Sequence, residues 1–326
     1  MPATLLSSTK TTFLARVTRV VDVATGIRSF EFVAEQGRQL PSWLPGAHID
    51  VHLPSGTVRQ YSLCGEPRAG DRYRIAVLEL PDGRGGSVEV HRELREGVVV
   101  ELGPPRNDFQ LAEAPAYVFV AGGIGITPIL AMIRHVARAG KPWRLVYGAR
   151  TAAHFAFTDE LDRLAAETWG MVEYVAQDTD GHPDLGAIVR GSIGQGVYCC
   201  GPAPLMDALG AEMAAQGRAG QLVIERFTPA PPAGADDGAS FEVELVDSGI
   251  TVTVEPDQSI LEAIRVAGVD APSSCEMGIC GTCETTVISG EVDHRDSLLT
   301  DDERAAGDVM MICVSRAACP RLVLQR

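Results

Sequence analysis

The 326-residue sequence contains no apolar run near the roughly 20 residues that a bilayer-spanning helix needs. Its start, Met1-Pro2-Ala3-Thr4, lacks the basic-then-apolar layout of a secretion signal, so no membrane association is expected and cytoplasmic residence is the default. Basic residues are also scarce, with 28 Lys and Arg against 43 Asp and Glu, for a net charge of −15. That deficit excludes a phosphate-binding surface for nucleic acid, which draws its affinity from clustered cations. No internal repeat is visible, and low-complexity sequence is confined to one short tract near residue 230. What is present is the balance of a folded chain: 45% hydrophobic and 22% charged residues, over a length that suggests two or three compact units. The acidity is uneven. Residues 240–326 hold 16 acidic and 6 basic side chains, a net of −10, against −5 for the rest. This stretch is either a solvated face or a surface that steers a basic partner.

From residue 13 to 111 short β-rich runs alternate with turns, among them Phe30-Glu31-Phe32-Val33, Val58-Arg59-Gln60-Tyr61-Ser62-Leu63 and Tyr73-Arg74-Ile75-Ala76-Val77. This punctuation predicts a small antiparallel β-barrel. At Tyr117 the pattern changes to an apolar strand, a glycine turn and a helix with Ile129, Met132, Ile133 and Val136 at helical spacing. Further strands over 143–147, 172–176 and 196–200 predict an α/β domain with a parallel sheet. The Pro-, Gly- and Ala-rich segment 228–239 reads as a linker, followed by a hairpin around Asp247-Ser248-Gly249 and a helix over 259–266. The expected domains are 10–112, 113–228 and 240–326, with 229–239 between the last two.

Eight cysteines in a reducing compartment point to ligands or buried thiols, not disulfides. Cys275, Cys280 and Cys283 form C-x4-C-x2-C, and Cys313 follows after 29 intervening residues. This is the spacing of plant-type [2Fe–2S] ferredoxins, with Gly278 and Gly281 letting the backbone curl around the sulfurs. Tetrahedral zinc would accept four thiolates too, although its sites usually come as paired C-x2-C knuckles. Cys64, Cys199 and Cys319 are expected to be packing residues.

Ala121-Gly122-Gly123-Ile124-Gly125-Ile126-Thr127-Pro128 lies between strand and helix, where a pyrophosphate can meet backbone N–H groups and a positive helix end. Thr127 is the expected N-cap and Pro128 the first helical residue. The run departs from G-x-G-x-x-G, and no acidic residue ends the next strand to hold a ribose, so a nicotinamide fold other than the standard dinucleotide one is expected. Tyr198-Cys199-Cys200-Gly201-Pro202, at another strand end, could face the same ligand. Arg150, just past a third strand, either neutralises a cofactor phosphate or decorates the surface.

Taken in order, R-x-Y-S at Arg59-Gln60-Tyr61-Ser62, G-G-I-G-I-T-P at 122–128, C-G-P at 200–202 and the C-terminal cysteines resemble the ferredoxin-reductase type of flavoprotein. More narrowly, they resemble the phthalate dioxygenase reductase group, which includes vanillate O-demethylase reductases and the reductase parts of some self-sufficient P450s. The resemblance covers residues 10–326. It implies a flavin-binding barrel, a nicotinamide domain and an α+β, β-grasp-like ferredoxin domain. It also implies that Arg59 pairs with the flavin phosphate, that Tyr61, Ser62 and Leu63 contact the ring, and that Ala76 and Val77 run beside it. Gly85, Gly86 and Ser87 would complete the phosphate cradle at a helix N-terminus. Thr127 and Cys200 would shape the nicotinamide pocket, with Glu225 a lesser candidate and Phe227 near the ring.

The cofactors implied are FMN, a [2Fe–2S] cluster and NADH, with NADPH left open by Arg150. A flavin is required between them because nicotinamide delivers two electrons as hydride and an iron–sulfur centre accepts one. The implied activity is an NAD(P)H-dependent oxidoreductase, expected as a monomer. Its partner would be an oxygenase docking near the acidic ferredoxin domain, either Rieske-type or a P450. A regulatory cluster protein and a zinc-stabilised binding module are the rival classes. A visible spectrum separates both from a reductase.

Overall fold

The structure is a computed structural model that describes residues 12–67, 71–83, 85–227, 239–256, 258–273, 276, 278, 281–296 and 298–326. It divides into two compact units, Met1–Glu225 and Arg226–Arg326.

The first unit opens with six strands, β1 (Phe13–Ala24), β2 (Ile27–Ala34), β3 (His48–His52), β4 (Val58–Ser62), β5 (Tyr73–Leu78) and β6 (Val99–Leu102), and one helix, α1 (Gly86–Glu93). The strands form an antiparallel sheet in the order β4-β3-β6-β1-β2-β5. Its two edges return to each other just past β4, where Cys64 N donates to Arg74 O at 2.8 Å, so the sheet curls into a barrel. This approach covers part of the strand edge that an open sheet would leave. Alternate residues such as Phe30 and Phe32, Ile49 and Val51, and Tyr73 and Ile75 fill its interior, as the two-residue period of a strand dictates. Val90 of α1 and Leu94 just past it seal one end.

The rest of the unit is an α/β layer built from β7 (Tyr117–Gly122), α2 (Ile126–Arg138), β8 (Trp143–Ala149), α3 (Thr158–Glu167), β9 (Gly170–Ala176), α4 (Gln177–Asp180), α5 (Leu185–Arg190), β10 (Gly196–Cys200), α6 (Ala203–Ala215) and β11 (Leu222–Glu225). All five strands are parallel, in the order β11-β10-β7-β8-β9. The chain runs outward from β7 to β9 and then returns to the other side of β7. The order therefore reverses between β7 and β10, and the carboxyl ends of those two strands form the crevice where such sheets bind ligands. β7 is buried along its whole length, as expected of a central parallel strand.

One sequence expectation is corrected here. Thr127 is not an N-cap: α2 begins at Ile126, capped by Gly125, after a short 3-10 turn over Gly123–Gly125. Thr127 therefore lies inside the first helical turn, and its hydroxyl donates to Ile124 O at 3.0 Å. The glycine turn tightens the backbone enough to start the helix two residues earlier than the threonine signal implied.

The second unit contains β12 (Phe241–Leu245), β13 (Ile250–Val254), α7 (Ile260–Val266), β14 (Glu284–Ser289), β15 (Val292–Asp293), α8 (Asp301–Ala306), β16 (Val309–Met311), β17 (Arg316–Ala317) and β18 (Arg321–Leu324). Five of the strands form a mixed sheet, β13-β12-β18-β14-β16, in which only β12 and β18 are parallel. The β12–β13 hairpin turns through Gly249 at φ +66°, a conformation that glycine adopts without a Cβ penalty. Ser259 and Glu262 form a reciprocal capping box that starts α7, and Ile260, Leu261 and Ile264 bury its apolar face on the sheet.

Candidate functional site

At the barrel, β4 carries Arg59, Tyr61 and Ser62, and α1 begins beside it. Glu89 in the first turn of α1 accepts from Ser55 N and Ser55 Oγ at 2.8 and 2.7 Å, which fixes the helix against the β3–β4 turn. On its other side His91 Nε2 donates to Val77 O at 2.8 Å, so Ala76 and Val77, both buried, are held in register with the same helix. Gly85 caps α1 at φ +76° with no side chain over the free N–H groups. Ser87 Oγ accepts from Leu80 N. A Cβ on Gly86 would lie 2.5 Å from Arg59 Nε, so only glycine lets the guanidinium reach the helix end. A cation beside an open helix N-terminus fits a phosphate group. Burial pushes the Tyr61 phenol far above its ordinary pKa and keeps it protonated. Leu63 is fully buried in the barrel and supports the strand from beneath.

The two glycine turns of the parallel sheet meet backbone to backbone. Added Cβ atoms would lie 2.2 Å from Cys200 O at Gly125, 2.5 Å from Pro202 Cδ at Gly122, and 2.9 Å from Gly122 Cα at Gly201. Gly123 adopts φ +52°, and its carbonyl accepts from Tyr147 Oη at 3.1 Å. The turns named from sequence are thus adjacent, at the ends of β7 and β10. Pro128 is buried in α2, while Pro202 leads into α6 from an exposed position. Arg150 is exposed just past β8, and its carbonyl accepts from Asp178 N.

Cys200 pairs with Glu225 across β10 and β11, with Sγ 4.0 Å from Glu225 Oε2. Ser62 from the barrel donates its hydroxyl to the same carboxylate. Glu225 keeps some exposure as a residue, but its acid group faces inward. Burial first, and the nearby Asp108 charge second, push its pKa up to about 8, with the Ser62 bond partly offsetting them. Burial also raises the Cys200 thiol well above its usual value, and Glu225 adds to that. Burial therefore favours the protonated, less reactive form of Cys200, since reactivity belongs to the thiolate. Asp108, which sequence reasoning passed over, stands 4.0 Å from His48 Nε2, and it left no signal beyond an acid in a turn.

In the second unit Cys283 and Cys313 are buried with their sulfurs 3.0 Å apart. That is well beyond a disulfide bond, roughly 2.05 Å. Cys275 and Cys280 lie outside the described residues. Glu276, Gly278 and Gly281 have φ of +52°, +70° and +71°, left-handed conformations that two glycines adopt without a Cβ penalty. A Cβ on Gly278 would sit 2.5 Å from Val314 Cγ2, so the loop closes against the Cys313 segment only through glycine. The buried Asp296 carboxylate accepts from Leu298 N, Leu299 N and Ser315 Oγ and braces the facing loop. Converging sulfurs between left-handed turns fit an iron–sulfur cluster. Of the other cysteines, Cys64 and Cys199 are buried as expected; Cys319 is only partly so, receiving Glu291 N at 3.1 Å. Phe227 is half-buried and belongs to this unit.

Comparison with known proteins follows the same division. Residues 119–210 match the oxidoreductase NAD-binding domain family, and residues 243–318 the 2Fe-2S iron-sulfur cluster binding domain family. The chain is 41% identical over 314 residues to the phthalate 4,5-dioxygenase oxygenase reductase subunit of Pseudomonas putida, covering 95% of each. Among solved structures it is similar to phthalate dioxygenase reductase, described as a modular structure for electron transfer from pyridine nucleotides to [2Fe-2S]. The identity is 38%, the TM-score 0.77, and the coverage 97% of this chain and 98% of that one. It is also 41% identical, with a TM-score of 0.76, to part of an intact type IV self-sufficient cytochrome P450 monooxygenase, covering 97% of this chain and 41% of that one.

Proposed function

Since the chain belongs to the phthalate dioxygenase reductase family of flavin and iron–sulfur reductases, we propose that hydride passes from nicotinamide to flavin in the crevice where Ser62, Cys200 and Glu225 meet. The protein is an NADH-dependent oxidoreductase of three folds: an antiparallel barrel, a parallel α/β sheet and a [2Fe–2S] ferredoxin fold. It carries electrons from NADH through FMN and the cluster to an oxygenase. FMN, when bound, takes up two electrons as hydride and releases them one at a time. The single observation that carries the site assignment is that three strands from two folds, β4, β10 and β11, bring these side chains together at the switch point of the sheet.

In this reading residues 10–112 hold the flavin, 113–228 the nicotinamide and 240–326 the cluster, with 229–239 as the linker. Arg59 with the open end of α1 binds the flavin phosphate. Tyr61 and Ser62 orient the ring, with Ala76 and Val77 behind it. The turns Gly122–Gly125 and Gly201–Pro202 hold the dinucleotide, and Arg150 meets one of its phosphates. Thr127 and Cys200 wall the nicotinamide pocket without charge. Glu225 holds its proton near neutrality and so presents a neutral acid to the site. Cys275, Cys280, Cys283 and Cys313 ligate the cluster. Replacing Cys200 with Ala should slow flavin reduction and leave the cluster spectrum intact, and an unchanged rate would remove Cys200 from the pocket.

The partner we favour is a Rieske-type aromatic oxygenase or O-demethylase, on the near-complete overlap with the phthalate 4,5-dioxygenase reductase subunit. The self-sufficient P450 supports a second reading, in which the acceptor is a P450 haem domain. Docking on the acidic ferredoxin domain, a monomeric state and a cytoplasmic location belong to the same proposal. Among the described residues no helix is long and apolar enough to cross a membrane. The test is a visible spectrum before and after anaerobic NADH, with acid-released flavin identified by chromatography. Yellow, iron-containing protein that bleaches fully is expected, whereas colourless protein would overturn the assignment.

A further inference from the structure

The barrel and the parallel sheet meet along one face of α2. Ala131 packs into the barrel core, Arg134 Nη1 donates to Cys64 O and to Gly65 O, the latter at 2.6 Å, and Arg138 pairs with Glu66 at 2.7 Å. Thr127, Ala131, Arg134 and Arg138 are spaced by four, three and four residues, which places them on a single stripe. The barrel segment they meet, Cys64-Gly65-Glu66, continues directly from Tyr61-Ser62-Leu63. One helix face and one strand extension thus run alongside each other, with the glycine turn at one end.

The contact is fastened by ions taken from water. Arg134 Nε donates to Glu160 Oε1 at 2.6 Å, and Nη2 of the same guanidinium also pairs with that oxygen. Arg74 of β5 donates to Glu160 Oε2 at 3.0 Å, and its guanidinium carbon lies 4.7 Å from the centre of the Phe157 ring. Arg134 is buried, and the Arg74 and Glu160 side chains are each about 20% exposed. Phe157, immediately before α3, is held at φ +64°, a strained conformation for an aromatic residue. A second tie, Thr25 N to Ala153 O at 2.9 Å, joins the β1–β2 turn to the loop that carries Phe157. A lone charge at any of these positions would be strongly unfavourable, so Glu160 works only as the shared partner of two arginines.

We propose that Arg134, Glu160 and Arg74 are positioning residues that set the distance between flavin and nicotinamide, by locking the end of β4 to α2. Arg134 lies two turns from Thr127, about 10 Å along the helix axis, and acts on the crevice through the helix and the strand extension. Hydride transfer needs its partners within a few tenths of an ångström of a productive distance. Slack of about 1 Å can cost up to 100-fold in rate, whereas binding depends on it far less. The inference rests on the assignment of the hydride crevice made above.

The test compares wild type with E160Q, and with R134K, which keeps the positive charge but cannot span both carbonyls and the carboxylate. In E160Q the rate of flavin reduction at saturating NADH should fall about tenfold or more. Half-saturation by NADH should move less than threefold, flavin and iron contents should hold, and the long-wavelength NADH–flavin charge-transfer absorbance should weaken. R134K should lie between the two, and it stands in if E160Q does not accumulate. In flavin-free protein, amide hydrogen exchange over residues 63–66 should accelerate in both variants. An unchanged saturating rate and charge-transfer band, or a rate that falls only in step with flavin loss, would overturn the proposal. Wild-type flavin that NADH failed to bleach would overturn the functional reading instead, and the exchange measurement would still decide whether the clamp holds the loop.

Discussion

Replacing Glu225 with Gln keeps the shape of the side chain and removes its titration. The carboxyl is pushed up to about 8 from an ordinary 4.5 by burial and by Asp108. Between those values the folded protein holds a proton that the unfolded chain has released, so wild-type stability falls as pH rises. Below the unfolded value both states are protonated and the penalty vanishes; above the folded value it is complete and constant. A shift of about 3.5 units corresponds to about 5 kcal/mol, and the residue's partial exposure brings the expected penalty to about 2–5 kcal/mol. Urea unfolding of the flavin-containing unit, followed by release of flavin fluorescence between pH 5 and 9, reads this directly. E225Q should gain on wild type steadily from pH 5 to 8 and then level off. Asp108→Asn in the wild-type background should end the fall at a lower pH by lowering the Glu225 pKa, and Ser62→Ala should extend it to a higher one. A difference independent of pH, or one that grows toward acid, would refute the inward-facing, neutral carboxyl.

Four further outcomes are expected. Gly125→Ala drives a methyl into Cys200 O and should cost about 1–3 kcal/mol or more while weakening reduction by NADH, read by thermal unfolding and anaerobic bleaching. Gly278→Ala should block cluster insertion, seen as lost visible absorbance. Gly249→Ala, with an equally left-handed φ but open space around its Cβ, should cost only about 1–2 kcal/mol and keep the cluster. Electron delivery to the oxygenase should slow as ionic strength rises if the −10 charge of residues 240–326 steers docking, and a salt-independent rate would remove that role.

The strands of the barrel, the βα rhythm after Tyr117, the hairpin at Gly249 and the cysteine spacing were legible because each rests on local period or local turn chemistry. The start of α2 was not placed correctly. Thr127 looks like a cap by residue type, and only the 3-10 turn before it shows that the helix has already begun. Arg134 left a faint trace, a charge among the apolar residues of α2, that periodicity alone reads as solvent-facing. What the chain determined by itself is which segments become strands, helices and ligand loops, because those choices are settled among neighbours within a few residues. Only the tertiary structure decided that Ser62, Cys200 and Glu225 share one crevice and that Glu160 lies between Arg74 and Arg134. Burial and charge pairing are properties of residues up to 163 positions apart, and no local signal encodes them.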